Sequence, residues 1–318
     1  MDSYSTIRTD HSIDPYKRAL VMVESSELTT ALTDSPVLTK AMSMQDAFGC
    51  DLKLFCCVEE RELTPVLLTA FEERLNEIRA TGSAVEGTIN CQADAVEAAI
   101  TSARDFSADI VVKQVDEANP YYLGIADHSD WRLMRNDVAS VWFVKQPGAA
   151  IDRVVAAVGH SGELATRRHT YLDEQSYHVY EAARHAANGL DSSLHALHVV
   201  ESAGEELPAY DIALNGNIMS FARADSGTGH GQRENAKANY HGRQLRAFAE
   251  HVDSLGNDLD VRAGTAEDVI ADFSREADAD LLVMGARPMT RWERLRTAPV
   301  AEPVLAEAPC DVLAICGI

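Results

Sequence analysis

No stretch of the 318-residue sequence approaches the roughly 18 consecutive apolar residues that a membrane-spanning helix needs, so no transmembrane segment is expected. The opening residues MDSYSTIRTDHSIDPYKR lack an apolar core, which argues against a secretory leader and for a cytoplasmic protein. Positive charge is scarce. Lys and Arg number 28 against 50 Asp and Glu, a formal net charge of -22. Such a surface repels nucleic acid and anionic membranes, so neither is expected as a partner. There is no G-x-S-x-G elbow, no P-loop and no H-E-x-x-H, which removes the common hydrolase, nucleotide-triphosphatase and zinc-protease signatures. No C-x-x-C pair occurs either. Cys50, Cys56, Cys57, Cys91, Cys310 and Cys316 lie mostly in or beside apolar runs, as reduced small hydrophobes would. Of the clustered histidines, His195 and His198 stand three apart on one expected strand and so face opposite sides of a sheet, which argues against a shared metal. Trp131, Trp142 and Trp292 read as packing residues, with Trp292 near the mouth of any pocket.

What is present is a strand–helix alternation. Strands are expected at Lys17–Glu24, Asp51–Val58, Ala84–Asn90, Asp109–Val112 and Val138–Val144. Helices are expected at Thr30–Phe48, Leu63–Ala80 and Asp94–Phe106, the last capped by Asp94. That order argues for a parallel sheet with helices on both faces. It then recurs, with strands at Asp152–Val158, Ser193–Val200, Asp260–Arg262, from Asp280 and from Asp311, and helices at Asp173–Asn188, Glu234–Val252 and Ala266–Ala277. FSADIVVK matches ADADLLVM, and VASVWFV matches PCDVLAI. Asp109 pairs with Asp280 and Val141 with Val312, both 171 positions apart. A shared offset points to two tandem copies of one α/β domain, residues 1–147 and 148–318, joined near Gln146-Pro147-Gly148. The second copy carries an insertion at about 202–231, rich in Gly, Asn, Ser and acidic residues, expected as a long surface loop or flap.

These blocks carry a family resemblance. AEDVIADFSREADADLLVMGARP, its echo DAVEAAITSARDFSADIVVKQV and the segment DWRLMRNDVASVWFVK resemble the universal stress proteins, in particular tandem members of the E type. The resemblance implies two doubly wound domains of five parallel strands, adenine nucleotide alpha hydrolase-like and Rossmann-like. It also implies that the last strands pair, here Val138–Val144 with Asp311–Ile315, and that the protein acts in stress response. A homodimer stays open.

Nucleotide-binding members resemble one another in a glycine pattern after the fourth strand, where small residues let backbone N–H groups approach phosphate. Here Gly285 is present, but Pro288 stands at the second glycine, and Ala298 and Pro299 replace the last Gly and Ser or Thr. In the first copy Lys113 stands where Gly285 does, and Asp116 and Glu117 follow. The acidic residue expected after the first strand is replaced by Gly159-His160-Ser161 in the second copy, whereas the first offers Glu24. ATP, ADP or AMP binding is therefore disfavoured, and a non-catalytic binding or interaction module is the expectation. Any ligand would lie beyond the strand ends of the second copy, touching Gly159, His160, Ser161, Val199, Gly285, Arg287, Arg291, Arg294, Arg296 and Thr297. Arg287, Arg291, Arg294 and Arg296 would either fork onto an anionic ligand or face acidic protein surface.

Overall fold

The computed structural model describes residues 16–115, 129–136, 138–148, 150–159, 174–200, 211–214, 217–220, 248–252, 254, 256–286 and 300–316. The first half runs β1 (Arg18–Val23), α1 (Pro36–Phe48), β2 (Asp51–Cys57), α2 (Pro65–Ala80), β3 (Val85–Asn90), α3 (Ala95–Phe106), β4 (Ile110–Gln114), α4 (Ser129–Met134) and β5 (Ser140–Val144). The second runs β6 (Arg153–Val158), α5 (Glu174–Leu190), β7 (Ser193–Val200), β8 (Asp211–Leu214), β9 (Asn217–Ser220), β10 (Asp258–Ala263), α6 (Ala266–Glu276), β11 (Leu281–Gly285), α7 (Ala301–Glu307) and β12 (Asp311–Ile315).

Local chemistry sets the helix starts. α1 begins six residues later than hydrophobic spacing suggests. Pro36 occupies its first turn, and the Ser35 hydroxyl accepts from the Leu38 N–H at 3.2 Å. Leu32–Asp34 forms a separate 3-10 turn. Thr64 and Pro65 start α2 in the same way. Asp94 caps α3 as expected, accepting from the Val96 and Glu97 N–H groups at 3.1 Å. Gly49, at φ 66°, closes α1 in the left-handed region that glycine enters without steric cost.

One ten-stranded sheet crosses both halves in the order β10-β7-β6-β11-β12-β5-β4-β1-β2-β3. Every pair is parallel except β12 with β5, which is antiparallel through Val312↔Phe143, Leu313↔Trp142 and Ala314↔Val141. Helices cover both faces. α1, α2, α5 and the helical residues 248–252 bury one face, and α3, α4, α6 and α7 bury the other. Both apolar layers run across the β5–β12 seam.

The register aligns the halves residue by residue. Ala19 pairs Ile110 where Val154 pairs Leu281. Arg18 pairs Asp51 where Arg153 pairs Ser193. Lys53 pairs Glu86 where His195 pairs Asp258. The offset between halves is thus 142 at the second strand and 172 at the third, so 30 extra residues lie between β7 and β10. That equals the insertion read at 202–231. Among its described residues it is a β8–β9 hairpin, not an unstructured loop, with Asp211↔Ser220 and Leu214↔Asn217 in antiparallel register. β10 is also longer than the three residues expected.

The seam is polar at its heart. The Asp311 carboxylate, fully buried, accepts from Trp142 Nε1 at 3.1 Å and from the Lys145 and Gln146 N–H groups at 2.8 and 3.1 Å. It also pairs Lys40 Nζ of α1 at 3.1 Å. Lys145 Nζ donates to the carbonyls of Leu305 and Ala308 at the end of α7, and burial pushes its pKa down. On one face of the seam Arg135 Nε meets Glu302 Oε1 at 2.9 Å. On the other, Phe48, Tyr16 and His185 form a triangle of ring contacts, and Phe48 lies over Gly189.

Candidate functional site

In each half the chain winds outward from its first strand, then returns to build on the other side. The strand order therefore reverses between β1 and β4, and again between β6 and β11. At such a switch point the loops leaving adjacent carboxyl ends splay apart and open a crevice.

In the second half, β6 pairs β11 with Ala157 beside Met284, and β7 with Val158 beside His198. The carboxyl ends carrying Gly159, Val199 and Gly285 are thus neighbours. Gly159 is exposed, and a Cβ built there would meet nothing within 4 Å. Its carbonyl accepts from the Ser176 hydroxyl of α5. Val199 is buried and packs into the face covered by α6. His198 is buried on the opposite face, its Nδ1 3.0 Å from the Val158 carbonyl oxygen. His195 and His198 do lie on opposite faces, and among the described residues no group of three or more His, Cys, Asp or Glu is placed to hold a metal. The Ala286 N–H donates to the Ile315 carbonyl at 2.9 Å and ties the end of β11 to β12. His160, Ser161, Arg287, Pro288, Arg291, Trp292, Arg294, Arg296, Thr297 and Ala298 lie outside the described residues.

The first half treats the same place differently. Glu24 follows β1, and its N–H donates to Glu27 Oε2 at 2.9 Å. Glu27 Oε1 accepts from the Ser35 hydroxyl at 2.6 Å. Arg74, buried on α2, donates to the carbonyls of Glu27, Leu28 and Thr30. These bonds fold residues 24–35 into a closed turn beside the crevice.

The register also corrects one alignment. Because Ile110 matches Leu281, Lys113 matches Met284, and the residue matching Gly285 is Gln114. Side chains alternate along a strand, so this shift by one moves Lys113 off the crevice path and onto a helix-covered face. There it is buried, with Nζ 2.7 Å from Asp130 Oδ1 of α4 and 2.8 Å from the Gln114 carbonyl. The second half has Met284 and Ala301 in place of this ion pair. No periodicity reveals it, since Asp130 is one acid among many until α4 packs under β4.

A clamp recurs in both halves at the opposite sheet end. Asp109 Oδ2 accepts from the Lys17 and Arg18 N–H groups at 3.0 and 2.9 Å, and Asp280 Oδ2 from those of Asp152 and Arg153 at 2.8 and 2.9 Å. Arg18 reaches the Phe106 carbonyl, and Arg153 that of Ala277. The acid that starts each fourth strand is therefore a strand tether, not a ligand group.

Residues 171–315 match the universal stress protein family. A comparison with curated proteins finds no match. Among solved structures, one described as a universal stress protein of Pseudomonas aeruginosa UCBPP-PA14 is 19% identical. It covers 96% of this chain and 94% of its own, with a TM-score of 0.67. A universal stress protein from Archaeoglobus fulgidus DSM 4304 is 14% identical, covering 95% and 98% with a TM-score of 0.57. The cytoplasmic domain of a prokaryotic cation chloride cotransporter is 11% identical, covering 95% and 96% at 0.50. At these identities the structural likenesses speak for the fold alone, and they span both halves. Residues 171–315 are thus similar to the universal stress protein family, and the first half repeats the same α/β fold across a shared sheet.

Proposed function

We propose that this chain is a cytoplasmic, non-catalytic binding or interaction module of stress response, built from a first domain at 1–147 and a second at 148–318. The carrying observation is the asymmetry of the two switch points. Beside β6 and β11 the backbone at Gly159 is open, whereas in the first half residues 24–35 are closed by Glu27, Ser35 and Arg74. The β5–β12 pairing joins the two domains within one chain, so the family-type contact between last strands needs no second copy. The pattern for ATP is degenerate in both halves, Gln114 replacing the first glycine in one, and Pro288 and Ala298 replacing later ones in the other. Proline removes an N–H donor exactly where a phosphate cradle needs one.

A second reading keeps an anionic ligand, such as AMP, ADP or ATP, on the loop from Gly285 to Arg296, with slow hydrolysis as its extreme form. Four arginines within ten positions of an acidic protein support it. Calorimetric titration of the full chain with ATP, ADP, AMP and pyrophosphate separates the readings. Absence of heat at millimolar ligand fits the first. Micromolar ATP affinity that Arg287→Ala weakens tenfold or more establishes the second and removes the degenerate-site claim. Pro288→Gly with Ala298→Gly is expected to raise ATP affinity if those positions are the defect.

A further inference from the structure

Six cysteines are free, and they do not share one environment. Cys50, Cys56, Cys310 and Cys316 are buried, and burial pushes their thiols up to about 11, 12, 12 and 12 respectively. Protonated and enclosed, they are inert toward oxidants. Cys91 is exposed and Cys57 half-buried. These two meet at the carboxyl ends of β2 and β3.

The register pairs Cys57 with Asn90. Neighbouring strands lie about 4.8 Å apart and rise about 3.3 Å per residue, so the Cα of Cys91 stands about 6 Å from that of Cys57. A disulfide spans roughly 4.4–6.8 Å between Cα atoms. In a continuing strand Cys91 would project to the face opposite Asn90 and Cys57. The strand does not continue. Asn90 Oδ1 accepts from the Gln92 N–H at 2.8 Å, and this Asx turn ends β3 and frees Cys91 from the alternation. The Cys57 thiol in turn donates to the Gln92 carbonyl at 3.5 Å, which sets its sulfur against the segment that carries Cys91.

We propose that Cys91 and Cys57 form a reversible two-electron redox site, Cys91 as the thiol that meets a peroxide and Cys57 as the thiol that resolves it. The Cys91 thiolate attacks one peroxide oxygen and the O–O bond breaks. Cys91 becomes a sulfenic acid, and the departing hydroxide takes a proton to leave as water. Cys57 sulfur then attacks the Cys91 sulfur, the S–O bond breaks, a second water leaves and the disulfide forms. Two thiols are oxidised for each peroxide reduced, and two equivalents of a small thiol reverse the change. Cys91 is exposed and meets the peroxide first, whereas Cys57 is half-buried and burial raises its thiol. The bond would cross-link β2 to the lead-in of α3 at the outer edge of the first half.

The full chain treated with stoichiometric hydrogen peroxide, alkylated and mapped without reduction is expected to yield one peptide pair joining Cys57 to Cys91, lighter by two hydrogens and undone by dithiothreitol. Cys91→Ser is expected to abolish peroxide-dependent thiol loss while leaving the circular dichroism spectrum unchanged. Cys57→Ser is expected to leave Cys91 open to sulfinic acid. Sulfinic or sulfonic acid at Cys91 in the wild type, a Cys91–Cys91 link between chains, a Cys56–Cys57 link, or undiminished thiol loss in Cys91→Ser would each overturn the proposal.

Discussion

Replacing Asp311 by asparagine is expected to destabilise the chain far more than an isosteric change normally does. Asp311 is fully buried, and Lys40, its ion-pair partner 3.1 Å away, is 2% exposed. With an effective dielectric of about 20, two unit charges at that distance attract by about 5 kcal/mol. Desolvation of both ions offsets much of this, but removing one partner strands the other, which costs about 3–5 kcal/mol. The amide oxygen of asparagine at the Oδ1 position still accepts from the Lys145 and Gln146 N–H groups, but its nitrogen replaces Oδ2, so the loss reports the stranded Lys40 charge together with the lost acceptor of the Trp142 N–H. Against a total stability of about 5–15 kcal/mol the change is large. At about 2–4 °C per kcal/mol it lowers Tm by roughly 6–20 °C. Guanidinium unfolding followed by tryptophan fluorescence suits the test, because Trp142 itself donates to Asp311. Lys40→Met is expected to cost a similar amount, and the double variant to recover the part due to the stranded charge but not the part due to the Trp142 N–H. If the single changes fall within about 0.5 kcal/mol of wild type, or their effects simply add, the buried pair does not hold α1 of the first half to β12 of the second.

The Lys113–Asp130 pair allows a test against its own counterpart, since Met284 and Ala301 stand at the matching positions. Lys113→Met alone is expected to cost about 3 kcal/mol in chemical denaturation, whereas Lys113→Met with Asp130→Ala should return to within about 1 kcal/mol of wild type. Gly189→Ala puts a Cβ 2.1 Å from Phe48 Cε1, and Phe48 is confined by Tyr16 at 4.9 Å and His185 at 5.7 Å between centroids. Overpacking of about 1–3 kcal/mol outweighs a helix-propensity gain of about 1 kcal/mol, and adding Phe48→Leu is expected to relieve the difference in a thermal melt. The Arg132 hydrogen bond, with the α3 N–H groups, holds the Asp94 carboxyl below its usual range. Its contribution is complete above the ordinary carboxylate pKa and is lost as pH falls through the lowered folded value. Asp94→Asn should therefore lower stability most near neutral pH, where that contribution is complete, and flatten the acid limb of the stability–pH curve.

The α/β class and the tandem repeat were legible because strands buried on both faces read as unbroken apolar runs, and IVV and LLV after an aspartate recur at one offset. Helix starts were legible only partly. Hydrophobic spacing ran α1 back to Thr30, where the Ser35–Pro36 cap overrules it. The position matching Gly285 was misplaced by one residue: the 171-position offset of the repeat already points to Gln114, and the strand pairing gives the same residue. Of the candidate ligand residues, Gly159, Val199 and Gly285 stand together at one switch point, and proximity across three strands has no local signature in the chain.

Composition and patterning by themselves determined the layer architecture and the two-fold repetition, because each follows from which residues must leave water and how often. Tertiary structure alone decided that the insertion carries a hairpin and that one ten-stranded sheet runs through both halves. It also decided which charges are buried as pairs, and that Cys57 stands opposite Asn90, the residue before Cys91. Those depend on contacts between residues 33 to 271 positions apart, such as Cys57 with Asn90 and Lys40 with Asp311. Only the register of the folded sheet sets such distances.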